Sequence, residues 1–231
     1  MDMDRHVPYG TPDTPRVAVL GEATLEVDPE IARLSVTVSA RGSDRRAALD
    51  DLTRRNQRAL DLVKSYGEAI EKLETGAFAI NPELARGRQE RVRAYHGRVH
   101  LAVTVTDFTA LGELTTRLAD LELTRVDGPW WGLRPDSPVH GRARQQAVRE
   151  AVQRAREYAG ALGARLVALV ELADLGADGE AGPPMPVAVA GPRHRSAHPG
   201  PGDAAALDLE PERQTVYAHV TARFTITRPE L

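Results

Sequence analysis

Two histidine pairs, His194/His198 and His96/His100, have the i,i+4 spacing that sets two imidazoles on one face of a helix for a metal ion. The first pair lies between Pro192 and Pro199, which disfavour a helix. No acid cluster or cysteine stands near to complete that site, and the chain contains no cysteine at all. His96 and His100 fall in an alternating stretch, where a strand would hold them on one face about 13 Å apart, too far to share an ion. No metal site is expected. His219, between Tyr217 and Thr221, falls on the polar face of a terminal alternating run. A general base needs a partner within hydrogen-bond reach, and ordinary cross-strand packing is the simpler expectation. No G-x-S-x-G elbow, Walker loop, G-x-G-x-x-G or H-E-x-x-H motif is present. No catalytic residue and no cofactor is assigned, and the chain is read as a non-enzyme.

Recognition chemistry has two candidates. Arg86, Arg88, Arg91, Arg93 and Arg98, with Tyr95 among them, form a candidate anion-binding loop. Glu83 and Glu90 interrupt this charge, and 30 basic against 33 acidic residues leave the 231-residue chain at a net charge of -3. Nucleic acid is therefore not the expected partner, because phosphate backbones demand clustered positive charge. A small ligand or anionic partner held by this arginine loop is the alternative reading. The second candidate is Trp130-Trp131, in a chain with only 4% aromatic residues. On a strand the two rings face opposite ways, one into the core and one outward. An exposed tryptophan suits an interface centre; cover by another part of the same chain is the competing reading.

The elements around these residues follow from periodicity. Residues 1–15 read as a flexible arm. Alternating runs at 16–27 and 31–40, separated by Asp28-Pro29-Glu30, read as an antiparallel pair. Ser43 is placed to cap a helix whose apolar stripe runs from Ala48 to Tyr66 and which stops near Gly67. A strand is expected over 70–81, then an arginine-rich hairpin loop over 83–93, then a returning strand at 99–106. Asp107 is placed to cap a second helix through Ala119. A strand at 121–133 carries the tryptophans. Asp136-Ser137-Pro138 opens a third helix, with proline at the first helical position. A stripe of small residues from Ala143 to Ala159 lines that helix, and Gly163 ends it. Residues 166–172 read as a compact buried strand. Residues 175–212, rich in glycine and proline, read as a mobile insertion loop. A clear strand follows at 214–228. The expected class is α+β, a mostly antiparallel sheet covered by about three helices in one domain spanning 16–228.

Several of these segments resemble the SIMPL-domain family. Gly21-Glu22-Ala23 and Glu26-Val27-Asp28-Pro29-Glu30-Ile31-Ala32 are similar to its opening hairpin. Thr75-Gly76-Ala77-Phe78-Ala79-Ile80-Asn81-Pro82 is similar to a later strand, and Ala143 through Gly163 to its long helix. Pro183-Pro184-Met185-Pro186 resembles the proline-rich stretch before its last strand. The resemblance spans about 16–228. It implies the α+β fold and self-assembly, including ring- or channel-like oligomers in some bacterial members. It also implies an adaptor role by way of an animal relative, and supplies no catalytic residue. The expectation is a self-associating scaffold or adaptor, or a stress-related protein, forming a homo-oligomer that could also hold a protein partner on its proline-rich loop. No window reaches the roughly 18 continuous apolar residues of a membrane helix. Met1-Asp2-Met3-Asp4-Arg5-His6 has neither a basic nor an apolar leader segment. The expected location is the cytoplasm, unlike most bacterial relatives.

Overall fold

The structure, a computed structural model, describes residues 10–85, 92–174 and 207–230. Its elements run β1 (Arg16–Val27), β2 (Ile31–Gly42), α1 (Arg45–Lys64), β3 (Ile70–Leu84), β4 (Val92–Val105), α2 (Phe108–Ala119), β5 (Thr124–Gly132), α3 (Pro138–Ala161), β6 (Leu166–Asp174) and β7 (Gln214–Ile226). The α+β class, the antiparallel pairing and the three helices agree with the sequence reading. The strands, however, divide between two sheets, of order β1-β7-β6 and β3-β4-β2-β5. Two compact units result, one built on β1, α3, β6 and β7, the other on β2 to β5 with α1 and α2.

This division corrects one expectation directly. β1 and β2 are not a hairpin: β1 lies beside β7, and β2 lies between β4 and β5. The Glu30 amide donates to the Gly132 carbonyl (2.9 Å), and the Arg134 amide donates to the Glu30 carboxylate (2.9 Å). The chain thus commits to β5 as soon as Pro29 is passed. Alternation reports that a strand is half-buried; it does not report its neighbour.

In the β2–β5 unit, β2 and β4 pair in unbroken register from Ala32↔Val105 to Gly42↔Tyr95. Their inward residues, Leu34, Val36, Val38, Leu101, Val103 and Val105 among them, pack against Leu52 and Val63 of α1 and Leu111, Leu114 and Leu118 of α2. The cap of α1 is Asp44, whose Oδ1 accepts from the Ala47 amide (2.9 Å), and not Ser43, whose hydroxyl donates to Asp44. Asp107 caps α2 as expected, accepting from the Thr109 amide (2.9 Å). Residues 207–212 are coil, and Leu209 packs against this core; residues 175–206 lie outside the described residues.

Arg55 ties α1 to the turn before β5. Its Nε donates to Asp51 Oδ2 (2.7 Å) and its Nη1 to the Glu122 carbonyl (3.1 Å). Hydrogen bonds from Arg55, then Arg54, hold the Asp51 carboxyl below the usual carboxylate range, against a smaller opposing effect of burial. A carboxyl depressed in the folded state stabilises fully above its unfolded value, and that contribution fades as pH falls through the folded one. Asp51→Asn is expected to lower stability by about 1 kcal/mol at pH 7, the scale of a half-buried charged hydrogen bond. The gap to wild type should shrink as pH drops below about 4, the unfolded carboxyl value. Urea midpoints at the two pH values check this; a gap independent of pH contradicts it.

In the other unit, α3 begins at Pro138 with Ser137 as its cap and ends before Gly163, at φ +66, as expected. Ala143, Ala147, Ala151, Ala155 and Ala159 are all 0–1% exposed. Ala147, Ala151 and Ala155 meet Val19 and Ala23 of β1 and Val220, Ala222 and Phe224 of β7. Short side chains let the helix axis come close to the strands, and at Gly21 an added Cβ would run into Ala147 and Ala151 of α3.

Candidate functional site

The tryptophan pair takes the two faces expected of strand neighbours. Trp131 pairs with the fully buried Ala32, and its ring meets Phe108 edge-on at 4.9 Å and 81°. Trp130 pairs with Arg33 on the opposite face, away from α1 and α2, and is 53% exposed. Trp131 is internal packing; Trp130 is the surface candidate.

The arginine set is not one loop. Arg86, Arg88 and Arg91 lie outside the described residues, as do the proline-rich Pro183–Pro186 stretch, His194 and His198. Arg93 and Arg98 belong to β4, which starts at Val92, because the alternation extends further back than the apolar residues alone suggest. Arg93 stands 3.8 Å from Glu83. Arg98 lies between Ser39 of β2 and Ala79 of β3 on the solvent face, and makes no ion pair among the described residues.

His96 and His100 share that face. His96 Nε2 donates to Glu83 Oε2 (2.7 Å), and Arg41 reaches the same oxygen at 3.0 Å. The His96 hydrogen bond, then the Arg41 charge, hold the Glu83 carboxyl below its ordinary range, burial opposing. His100 Nδ1 is bonded to Thr37 Oγ1 (2.9 Å). Ser39, Asn81, His96, Arg98 and His100, with the small residues of β3, line a cavity of about 300 Å³. The 96, 98, 100 spacing on a strand was the available signal for this cluster; it is read only when the sheet face is taken as one surface.

The strand β6 departs most from expectation. Among the described residues it is an edge strand, and Val167, Leu169, Val170 and Leu172 are 62%, 54%, 42% and 47% exposed. Leu169 and Leu172 stand beside Phe224 and Ala222, on the face that α3 covers, but α3 packs chiefly over β1 and leaves them open. Val167 and Val170 sit at two irregularities in the ladder and have no partner on β7. Glu171 is held by Arg223 at 2.5 and 2.6 Å. A compact apolar run looks the same in sequence whether it is buried or awaits a partner.

His219 Nδ1 lies 3.6 Å from Glu22 Oε1, a surface pair in which Arg154 also approaches Glu22 (3.7 Å). Among the described residues no group of three or more histidine, aspartate or glutamate side chains converges, and no helix is long and apolar enough to cross a membrane.

Comparison with known proteins finds a family model, SIMPL, "Protein of unknown function (DUF541)", matching residues 17–224. The 26 kDa periplasmic immunogenic protein of Brucella melitensis is 27% identical over 183 residues, covering 76% of this chain and 70% of the relative; that of Brucella abortus matches to the same extent. The uncharacterized protein YggE of Edwardsiella ictaluri is 22% identical over 157 residues, covering 67% of this chain and 66% of its own. The names of the two Brucella relatives describe those proteins as periplasmic.

Proposed function

This chain belongs to the SIMPL family, whose function is unknown, and we propose that it acts by contact, as a self-associating scaffold that makes and breaks no covalent bond. The observation that supports this is β6. An edge strand offers unpaired backbone N–H and C=O groups, and natural edges are normally blunted by lysine, proline or charge. β3, one of the two edges of the other sheet, follows that rule, with Glu71, Lys72, Glu74 and Pro82. β6 carries neither charge nor proline over residues 166–170, which read Leu-Val-Ala-Leu-Val, and only the two irregularities at Val167 and Val170 interrupt this edge.

The occupant that suits it is a second copy of the chain. A strand free of charge over its first five residues meets no like-charge repulsion when laid antiparallel to itself, and its only glutamate is held by Arg223 of its own chain. The two-fold pairing is self-complementary, as isologous interfaces must be. Leu20 and Tyr217, 37% and 66% exposed, carry apolar surface on the same three-stranded sheet.

Light scattering of the purified full chain tests the reading. The wild type should run as a multiple of the monomer at about 100 μM, where mass action favours assembly. Val167→Lys should bring it to the monomer with an unchanged circular dichroism spectrum, since that side chain is 62% exposed. A monomeric wild type, or an equally assembled variant, overturns the reading. Loss of assembly in Trp130→Ala but not in Val167→Lys would move the interface to the other sheet.

A further inference from the structure

The cavity on the solvent face of the four-stranded sheet originates in the ladder itself. β3 carries one more residue than β4 between Thr75 and Phe78, so Gly76 and Ala77 together fall opposite His100. Ala79 then pairs with Arg98. The short side chains of Ala77 and Ala79 on β3, with Phe78 also in the lining, leave beside the long ones on β4 a hollow of about 300 Å³, at the small end of ligand-sized sites.

The charge around it has one sign to spare. Glu83, the acid bordering the hollow, is engaged by Arg41, His96 and Arg93. Arg98 lines the hollow and has no ion pair among the described residues; its neighbours across the strands are Ser39 and Ala79. Ser39 and Asn81 add neutral donors. His100 uses Nδ1 for Thr37, which leaves Nε2 as its remaining polar atom.

We propose that this hollow binds a small organic anion, a carboxylate or phosphate ester, whose charged group is held by Arg98 with Ser39, its cross-strand neighbour, beside it. A guanidinium recognises both groups through the same paired N–H donors, and such charge-assisted bonds are about twice as strong as neutral ones. The proposal is independent of the β6 reading, because it concerns a different sheet and needs no assembly.

The test is calorimetric titration of the full chain with phenyl phosphate, benzoate, inorganic phosphate and the neutral benzamide. Saturable binding of phenyl phosphate or benzoate is expected below about 10 mM, with benzamide silent. Arg98→Gln should weaken the bound anion at least about tenfold, the scale of one charged hydrogen bond. Ala79→Leu, which keeps the charge and fills the hollow, should abolish binding of the phenyl compounds. Both positions are exposed, so the variants fold. Absence of saturation by either anion overturns the proposal, as does equal affinity in Arg98→Gln. Inorganic phosphate bound as tightly as phenyl phosphate, and insensitive to Ala79→Leu, would show a surface charge effect and no pocket.

Discussion

Gly21→Ala will destabilise the β1-α3 unit by roughly 3 kcal/mol, the upper range for overpacking a close-packed contact. A Cβ at Gly21 would lie 2.1 Å from the Ala147 carbonyl oxygen, 2.6 Å from the Ala151 Cβ and 2.8 Å from the Ala151 amide nitrogen. Two of these are backbone atoms of a continuous helix, so no rotamer change relieves the clash. α3 must lift from β1, and the contacts of its alanine stripe go with it. Gly160→Ala is the internal control. It sits within α3 with nothing within 4 Å of the added carbon. It should stabilise by about 0.5–1 kcal/mol through helix propensity and a less flexible unfolded chain. The readout is hydrogen exchange at α3 amides with urea melts by circular dichroism, since both tryptophans lie in β5, in the other unit. Equal stability of Gly21→Ala and wild type would mean that β1 and α3 do not approach as described.

The same glycine shows how much of this fold was legible. A glycine inside an alternating strand and a helix with alanine every fourth residue are each visible in the sequence. Only the fold shows that they answer each other, the missing Cβ on β1 meeting the short side chains on α3. Local signals held where they are local. Asp107, Ser137-Pro138 and Gly163 mark helix ends because capping depends on a few consecutive residues. The α1 cap moved by one residue, since Ser43 and Asp44 compete for the same amides and the carboxylate takes the bond.

Pairing and burial were not local, and there the reading failed. Nothing in the 16–27 run states that its neighbour is β7, nearly two hundred positions on, and nothing in Leu-Val-Ala-Leu-Val states that this strand stays open. Of the arginines read as one loop, the two within the described residues, Arg93 and Arg98, lie on β4. Arg93 and Arg98 were grouped with a loop by proximity in sequence, whereas Arg98 belongs with Ser39 and Ala79 by cross-strand register. The tryptophans were legible because period two alone fixes their opposite directions.

That opposition makes adjacent residues differ sharply in what they support. Trp131→Ala will cost about 3 kcal/mol, the low end for removing a large aromatic from a packed site, because the ring is only partly buried and meets Phe108 edge-on at 4.9 Å. Phe108→Leu, which keeps apolar volume and loses the edge-to-face geometry, should cost about 1 kcal/mol. Trp130→Ala, at a side chain 53% exposed, should stay within about 0.5 kcal/mol of wild type. In Trp130→Ala the remaining indole is Trp131, so fluorescence in urea follows the β5 face that packs on α2. In Trp131→Ala the remaining indole is the exposed one, and its emission should already be red-shifted in the native protein. A large loss of stability in Trp130→Ala with little in Trp131→Ala would reverse the two faces, and with them the β2–β5 register in which Trp131 opposes Ala32 and Trp130 opposes Arg33.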